Sequence, residues 1–183
     1  MSWHKLIPHP RSEPGVAYDI VVDVRQTDQG TLLLEYRLRG DLGGIQLPER
    51  GKGEFRDGLW QATCFEAYIA ASSGGAYWEF NIAPSGDWAV YAFDACREGM
   101  RPKPELVPTI SWSRSSQDKS AEESAGLLQA RLEIDGLSEL SRPWKLGLSA
   151  VIQEQGGALC YWALTHPSES PDFHHPAGFT LRL

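Results

Sequence analysis

A short stretch near the end of the chain gathers polar, aromatic and stiff residues at close spacing. From position 162 it reads WALTHPSESPDFHHPAGF and contains three of the five histidines of the chain, His166, His174 and His175. Asp172 and Phe173 directly precede the last pair, and three prolines restrict the backbone around them. Side chains of these types could hold a metal ion, act as a catalytic base, line a ligand pocket or satisfy the backbone of an ordered turn.

A metal site is the first chemistry that these residues could support. His174 and His175 are adjacent, and adjacent side chains on an extended backbone point to opposite faces, so the two rarely share one ion. His166 with one of them, and Asp172 as an oxygen ligand, could form a site. Haem held by His and Met could use only Met100 besides the initiating residue. The alternative prediction is therefore a metal- or haem-binding protein, with redox or hydrolytic activity, that uses His166, His174 and Asp172.

Carbohydrate binding is the second chemistry that the sequence could support. Flat aromatic side chains cover the apolar faces of a sugar, and carboxylates, amides and imidazoles bind its hydroxyl groups. A glutamate in the middle of a strand is usually the solvent-facing member of the alternation. The residues that supply the mixture are Trp60, Glu66, Glu79, Asn81, His166, Asp172, Phe173 and His174.

Signatures of nucleophilic catalysis and of phosphate binding are absent from the sequence. There is no G-x-S-x-G elbow, no phosphate-binding loop and no dinucleotide fingerprint. Cys64 lies on an apparent strand, where burial is expected rather than activation. No catalytic residue is assigned.

The elements that must position these side chains follow a period of two. A first hairpin is predicted from the strand AYDIVVDVRQ, the turn TDQG and the strand TLLLEYRLRG. A second hairpin is predicted from CFEAYIAAS with AYWEFNIAPS, and a third from KLGLSAVIQE with ALCYWALTH. With GDWAVYAFDAC, TISWSRSS, GLLQARLEID and AGFTLRL, nine or ten short strands result. This pattern predicts an all-β fold, an antiparallel two-sheet β-sandwich of jelly-roll type. The segment IDGLSELSRPW could form one serine-capped helical turn, and the polar segment around Ala121 is predicted to be a loop.

Length and composition limit the remaining possibilities. The 183 residues suffice for a single domain, residues 1–183, with residues 1–15 as an N-terminal extension. The net charge is -7 and no basic run occurs, which argues against nucleic acid and anionic lipid as partners. No apolar run is long enough for a membrane span, and the N-terminus lacks the apolar core of a secretory signal.

The three cysteines, Cys64, Cys96 and Cys160, are widely spaced and form no CxxC pair. They predict reduced, buried thiols in a cytoplasmic protein. The sequence does not indicate the oligomeric state or the biological pathway.

Three stretches carry a resemblance to a known family. The chain resembles the DOMON-like proteins related to type 9 carbohydrate-binding modules. The stretches that carry this resemblance are LWQATCFEAYIA, YWEFNIAPSGDWAVYAFDACREGM and ALTHPSESPDFHHPAGFTLRL. The order of features is similar as well: a tryptophan before the strand with Glu66, a strand ending in Asn81, the segment ARLEIDGLSEL and a C-terminal F-x-H-P-x-x-F closure. The resemblance covers residues 16–183, and NIAPSGDW and PDFHHP are its most specific parts.

The resemblance implies a β-sandwich whose ligand cleft is formed by loops and one sheet face. Sugar-binding members clamp a saccharide between two rings, and Trp60 and Phe173 stand at those places, the second replacing a tryptophan. Glu66 matches an acid that binds hydroxyl groups, whereas Glu79 stands where sugar binders tend to carry a basic residue. The prediction is therefore a non-catalytic protein that binds a small polar ligand, a saccharide first of all, with no cofactor expected.

Overall fold

Two antiparallel sheets pack face to face in the computed structural model, which describes residues 2–116 and 126–183. The five-stranded sheet has the order β1 (Trp3–Lys5), β3 (Tyr18–Gln26), β4 (Leu32–Gly40), β10 (Gly126–Ile134), β9 (Thr109–Ser116). The eight-stranded sheet has the order β2 (Ile7–Pro8), β12 (Leu159–Ala163), β11 (Trp144–Gln153), β5 (Cys64–Ala71), β6 (Tyr77–Ile82), β7 (Trp88–Phe93), β8 (Arg101–Pro102), and β13 (Leu181–Arg182) also pairs with β11. The prediction of an all-β, two-sheet sandwich is confirmed.

The main core lies between the two sheets and follows the predicted alternation. On β10, Leu128, Ala130, Leu132 and Ile134 are buried, whereas Arg131 between them is exposed. This is the pattern of a strand with one face in the core and one in solvent. Leu and Ile side chains from both sheets, with Tyr36 and Trp144 among the largest buried groups, complete this core.

The three hairpins predicted from turn sequences are present in register. Strands β3 and β4 pair along their full length, β5 pairs with β6, and β11 pairs with β12. Because β5, β6 and β7 are neighbours in both sequence and space, side chains on one face of these strands lie side by side. This adjacency positions the floor of the candidate site.

The outer face of the eight-stranded sheet is buried as well. On β7, Trp88, Val90 and Ala92 face the main core, and Tyr91 and Phe93 on the opposite face are equally inaccessible. A second apolar layer covers that face, formed by strand residues and by loop residues folded over them. Its buried members are Leu59, Cys64, Tyr68, Ala70, Tyr77, Ala83, Ala89, Tyr91, Phe93 and Phe179.

Several short elements differ from the sequence prediction. Residues 1–15, predicted to be an extension, supply β1 and β2, which pair with β3 and β12 at the edges of the two sheets. Strand β8 was not predicted because its two residues give no periodicity. The helical turn predicted after β10 is a 3₁₀ turn, Leu137–Glu139, and its cap is Gly136 at φ 76° rather than a serine.

The remaining 3₁₀ turns are Leu42–Gly44, Leu59–Gln61 and Pro176–Gly178. The segment around Ala121, predicted to be a loop, lies outside the described residues. Within the described ranges, no helix has the length and apolar character needed to cross a bilayer.

Candidate functional site

A cleft opens on the outer face of the eight-stranded sheet, above β5, β6 and β7. Its cavity volume is about 320 Å³, at the lower end of the range for small-molecule sites. Tyr68 on β5 lies directly opposite Glu79 on β6, and Glu66 is two residues before Tyr68 on the same face. The lining residues are Trp60, Glu66, Tyr68, Glu79, Tyr91, Phe93, Arg97, Met100, Tyr161, Pro171, Phe173 and His174.

Two buried carboxyl groups form the floor of the cleft. Glu66 is 1% exposed and Glu79 is 4% exposed. The hydroxyl oxygen of Tyr68 lies 3.0 Å from Oε2 of Glu66 and 3.4 Å from Oε1 of Glu79. Because this hydroxyl has one hydrogen, it can donate to only one of the two carboxyls at a time. Tyr68 therefore links the two acids without satisfying both.

Each carboxyl has one bonded oxygen and one that remains available. Ser149 Oγ donates to Oε2 of Glu66 at 3.0 Å, and Asn81 Nδ2 donates to Oε1 of Glu79 at 2.8 Å. Among the described residues, Oε1 of Glu66 and Oε2 of Glu79 accept no hydrogen bond. A ligand in the cavity could bond to these two atoms.

Burial makes the ionised form of both acids unfavourable. Desolvation raises the pKa of Glu66 above its ordinary value, and the negative charge of Glu79 raises it further. Desolvation likewise raises the pKa of Glu79. A carboxyl with a raised pKa can retain its proton near neutral pH and then donate a hydrogen bond as well as accept one.

The hydrogen bonds around His174 determine its tautomer. The backbone N–H of Arg97 donates to the Tyr77 hydroxyl oxygen, 3.2 Å away. The Tyr77 hydroxyl oxygen also lies 2.7 Å from Nδ1 of His174, and Nδ1 is the one acceptor that the described residues offer to the Tyr77 hydrogen. We therefore assign the ring hydrogen to Nε2, which faces Oε2 of Glu79 at 3.9 Å.

His174 is uncharged at neutral pH. Burial lowers the pKa of this imidazole to about 4, and the nearby positive charge of Arg97 acts in the same direction. The contact of 3.9 Å with Glu79 is thus neither an ion pair nor a hydrogen bond at neutral pH. It leaves a donor N–H and an acceptor oxygen side by side at the edge of the cavity.

One wall of the cleft is supplied by the 3₁₀ turn before β5. Gly58 adopts φ 76° at the start of this turn, a conformation that favours glycine. Leu59 is buried and anchors the turn, and Trp60 remains 37% exposed. The indole meets the ring of Tyr91 edge to face, with centroids 5.9 Å apart. The Tyr91 hydroxyl donates to Asp57, which fixes the loop against the sheet.

A second part of the cavity lining belongs to the proline-framed segment near the C-terminus. Arg97 Nη2 donates to Oδ1 of Asp172 at 2.7 Å, and the same oxygen accepts the backbone N–H of His174. This ion pair joins the loop after β7 to the C-terminal segment. The Phe173 ring meets the Tyr161 ring at a centroid distance of 6.0 Å. Tyr161 belongs to β12, so the wall is continuous with the sheet.

The structure places five of the eight predicted site residues around one cavity: Trp60, Glu66, Glu79, Phe173 and His174. Asn81 lies in the floor behind Glu79, and Asp172 acts through Arg97, so neither lines the cavity.

The other two histidines of the C-terminal segment have structural contacts. Nε2 of His166 donates to the carbonyl of Ile7 at 2.9 Å, and its ring lies against Phe173 outside the cavity. Nδ1 of His175 accepts the N–H of Ala177 and caps the last 3₁₀ turn. The three histidines therefore have separate roles, and only His174 lines the cleft.

Several lining residues were not predicted from the sequence. Tyr68 could have been found, because it follows Glu66 by two residues and must share its face. Tyr91 and Phe93 alternate with core residues, but that pattern does not show what covers them. Arg97 lines the cleft from the loop after β7, where its backbone has φ 59°, unusual for a residue other than glycine. No local sequence signal indicates that conformation.

The geometry gives no support to the metal alternative. In residues 2–116 and 126–183, no group of three or more His, Cys, Asp or Glu side chains is placed to hold an ion. Of the proposed ligands, His166 binds a carbonyl and Asp172 binds Arg97. All three cysteines are free thiols. The prediction that they are buried holds for Cys64 and Cys160 and is wrong for Cys96, which lies in the exposed loop after β7.

Comparison with known proteins identifies the fold. No protein-family model matches the sequence, and no curated protein matches it. A protein from Bacteroides uniformis, provisionally described as carbohydrate-binding, superposes with a TM-score of 0.59 at 14% identity, over 98% of this chain and 84% of that one. A family 9 carbohydrate-binding module from Caldicellulosiruptor kristjanssonii, in complex with cellotriose, gives 0.52 at 6% identity, over 99% and 80%.

These two likenesses rest on three-dimensional structure rather than on sequence identity. At such identities they show the fold alone, while the relation to DOMON domains stays a prediction. The chain has the two-sheet β-sandwich fold of the type 9 carbohydrate-binding modules.

Proposed function

We propose that this protein binds a saccharide, without catalysing its reaction, in the cleft above β5, β6 and β7. The observation that carries the proposal is the composition of the cleft: aromatic rings on its walls and two buried carboxyls, each with an available oxygen, on its floor. The fold that the chain shares with carbohydrate-binding modules agrees with this assignment.

The walls suit the apolar faces of a sugar ring. Trp60 and Met100, two of the few large apolar side chains that are exposed in the described part of the chain, both line the cavity. Apolar surface that remains exposed in a concave site commonly marks a ligand site. Phe173 and Tyr161 supply further aromatic surface to the same cavity.

The floor suits the hydroxyl groups of a sugar. A hydroxyl both donates and accepts hydrogen bonds, and the floor offers groups of each kind. Oε2 of Glu79 accepts, the neighbouring Nε2–H of His174 donates, and protonated Glu66 can do either. A polar group buried in such a site must find a partner in the ligand, so these atoms confer orientation and specificity.

The proposal is tested with a panel of neutral mono- and disaccharides and isothermal titration calorimetry. We expect one or more to bind. Trp60→Ala should weaken that binding by about 1.5–3 kcal/mol, the transfer free energy of one buried apolar side chain, which is about 10- to 150-fold in Kd. Trp60→Ala should cost much less stability than the loss of a fully buried tryptophan, because the indole is 37% exposed.

Trp3→Ala is the matched control, since Trp3 is a partly exposed tryptophan on the other sheet, where its ring lies against Arg37. It should retain full affinity. Failure of every sugar in the panel to bind, or equal loss of affinity in both variants, would show that the cleft is not a saccharide site.

A further inference from the structure

The charges that line the cleft are unbalanced, and the imbalance indicates which saccharides it prefers. Arg97 is the one cationic side chain among the lining residues that the structure describes, and its guanidinium is already paired with Asp172. His174 is neutral. Among the described residues, no charged cationic side chain contacts the carboxyl of Glu66 or Glu79, and Arg97 acts on Glu79 only at longer range.

We propose that the ligand is a cationic amino sugar, whose ammonium group binds between the free oxygens of Glu66 and Glu79 beneath the aromatic walls. This inference rests on the proposed saccharide binding and specifies the class of sugar. An ammonium group has three hydrogens to donate and no lone pair. It therefore matches a floor whose available atoms are carboxyl oxygens better than a hydroxyl does.

The way the two acids share Tyr68 supports the same ligand. Its hydroxyl hydrogen can satisfy only one carboxyl, although the oxygen lies within 3.4 Å of both. The negative charge of Glu79 raises the pKa of Glu66, so without a cation the two acids are not readily ionised together. An interposed cation removes the repulsion between them and lets both ionise. An ammonium group supplies both the missing donors and the missing positive charge.

The aromatic walls also favour a cation. The faces of indole, phenol and phenyl rings carry negative electrostatic potential and attract ammonium groups, more strongly where water is excluded. Trp60, Tyr91, Phe93, Tyr161 and Phe173 line the same cavity as the two acids. Aromatic rings combined with carboxyls are thus suited to a ligand that is positively charged at one end and apolar on its faces.

The charge of the whole molecule acts in the same direction. The net charge of -7 produces a field that concentrates cations near the surface and disfavours anionic sugars. Sugar acids and sugar phosphates would in addition place a negative charge against Glu66 and Glu79. We therefore expect the order of affinity to be amino sugar, neutral sugar and acidic sugar.

The test compares ligands that differ in one group. Glucosamine and galactosamine are titrated near neutral pH against glucose, galactose and the two N-acetyl derivatives. Charge-assisted hydrogen bonds are roughly twice as strong as neutral ones, and the ammonium group forms one with each of two carboxyls, so at least one amino sugar should bind about tenfold more tightly than its neutral and N-acetylated forms. Glu79→Gln and Glu66→Gln should each reduce that ratio to below about threefold. Glu133→Gln, on an exposed position of β10, should keep it.

The other possible results distinguish the amino-sugar assignment from the proposed saccharide binding. Equal affinities for the amino and neutral forms, or a ratio that survives in both glutamine variants, overturn the amino-sugar assignment and leave saccharide binding intact. Cyclohexylamine bound as tightly as glucosamine would show that the site recognises an amine without the sugar. Absence of binding by every sugar, charged or neutral, rejects the proposed function itself.

Discussion

Glu66→Gln should make the protein more stable near neutral pH, although it removes a buried hydrogen-bonding group. The glutamine carbonyl can take the place of Oε2 and accept from Tyr68 and Ser149, which lie 3.0 Å from that oxygen. The amide nitrogen then occupies the position of Oε1, which has no partner among the described residues. The substitution therefore preserves the hydrogen bonds from Tyr68 and Ser149 and removes only the ionisable carboxyl group.

The size and sign of the effect follow from the raised pKa of Glu66. In the unfolded chain a glutamate ionises at about pH 4.3, whereas burial and Glu79 keep it protonated to higher pH in the folded protein. The folded state binds more protons than the unfolded state in this window, so the free energy of unfolding falls as pH rises. Each pH unit in the window costs about 1.4 kcal/mol. The glutamine variant has no such cost at this position.

The assay is urea unfolding followed by tryptophan fluorescence at a series of pH values. The variant and parent should be equally stable below about pH 4, and the variant should be more stable by about 1.4–4 kcal/mol at pH 7. The free energy of unfolding of Glu133→Gln, a substitution at an exposed position, should depend on pH in the same way as that of the parent. A difference between Glu66→Gln and the parent that does not grow with pH would refute the claim that Glu66 is buried with a raised pKa.

The remaining predictions concern other parts of the cleft. Because the pKa of buried His174 is lowered to about 4, its contribution to stability should be lost as pH falls from about 6.5 towards that value, so the free energy of unfolding of the parent relative to His174→Gln should decrease over this range in urea unfolding. A Cβ added at Gly147 would lie 2.6 Å from Cδ1 of Phe179. Gly147→Ala should therefore destabilise the protein by about 1–3 kcal/mol. An unchanged midpoint of urea unfolding would contradict this packing. A thiol reagent should modify the exposed Cys96 rapidly in the native protein and buried Cys64 only after unfolding; equally rapid reaction of both would disprove the assigned exposure.

The strands of this protein were predictable because each of them shows its own local pattern. The nine strands of five or more residues in the described chain all fall on segments with period-two alternation or strong β-propensity. Turn sequences such as TDQG, SSGG and QGG fixed the three hairpins. The two-residue strands β2 and β8 could not be predicted, because they exist only where a neighbouring strand offers hydrogen bonds.

The chemistry of the cleft was predictable in residue type, and its arrangement was not. The sequence shows a tryptophan at a loop–strand junction and an aromatic, proline-framed loop, and both residue types suit a ligand wall. Trp60 and Phe173 are more than a hundred positions apart, and only the packing of both loops over one sheet face brings them to the same cavity. Arg97, which joins the two walls through Asp172, gave no local signal at all.

The burial of Glu66 and Glu79 was decided by tertiary structure alone. Alternation along β5 and β6 establishes that both point away from the main core, and it predicts a solvent-facing glutamate. They are instead 1% and 4% exposed, because the turn before β5, with Trp60, and the distant C-terminal segment, with Phe173 and Phe179, lie over that face. The sequence determines which side chains share a face, since strand periodicity is local. Whether that face meets water depends on loops from elsewhere in the chain, and in this protein those loops turn a surface pair of acids into the floor of a cleft.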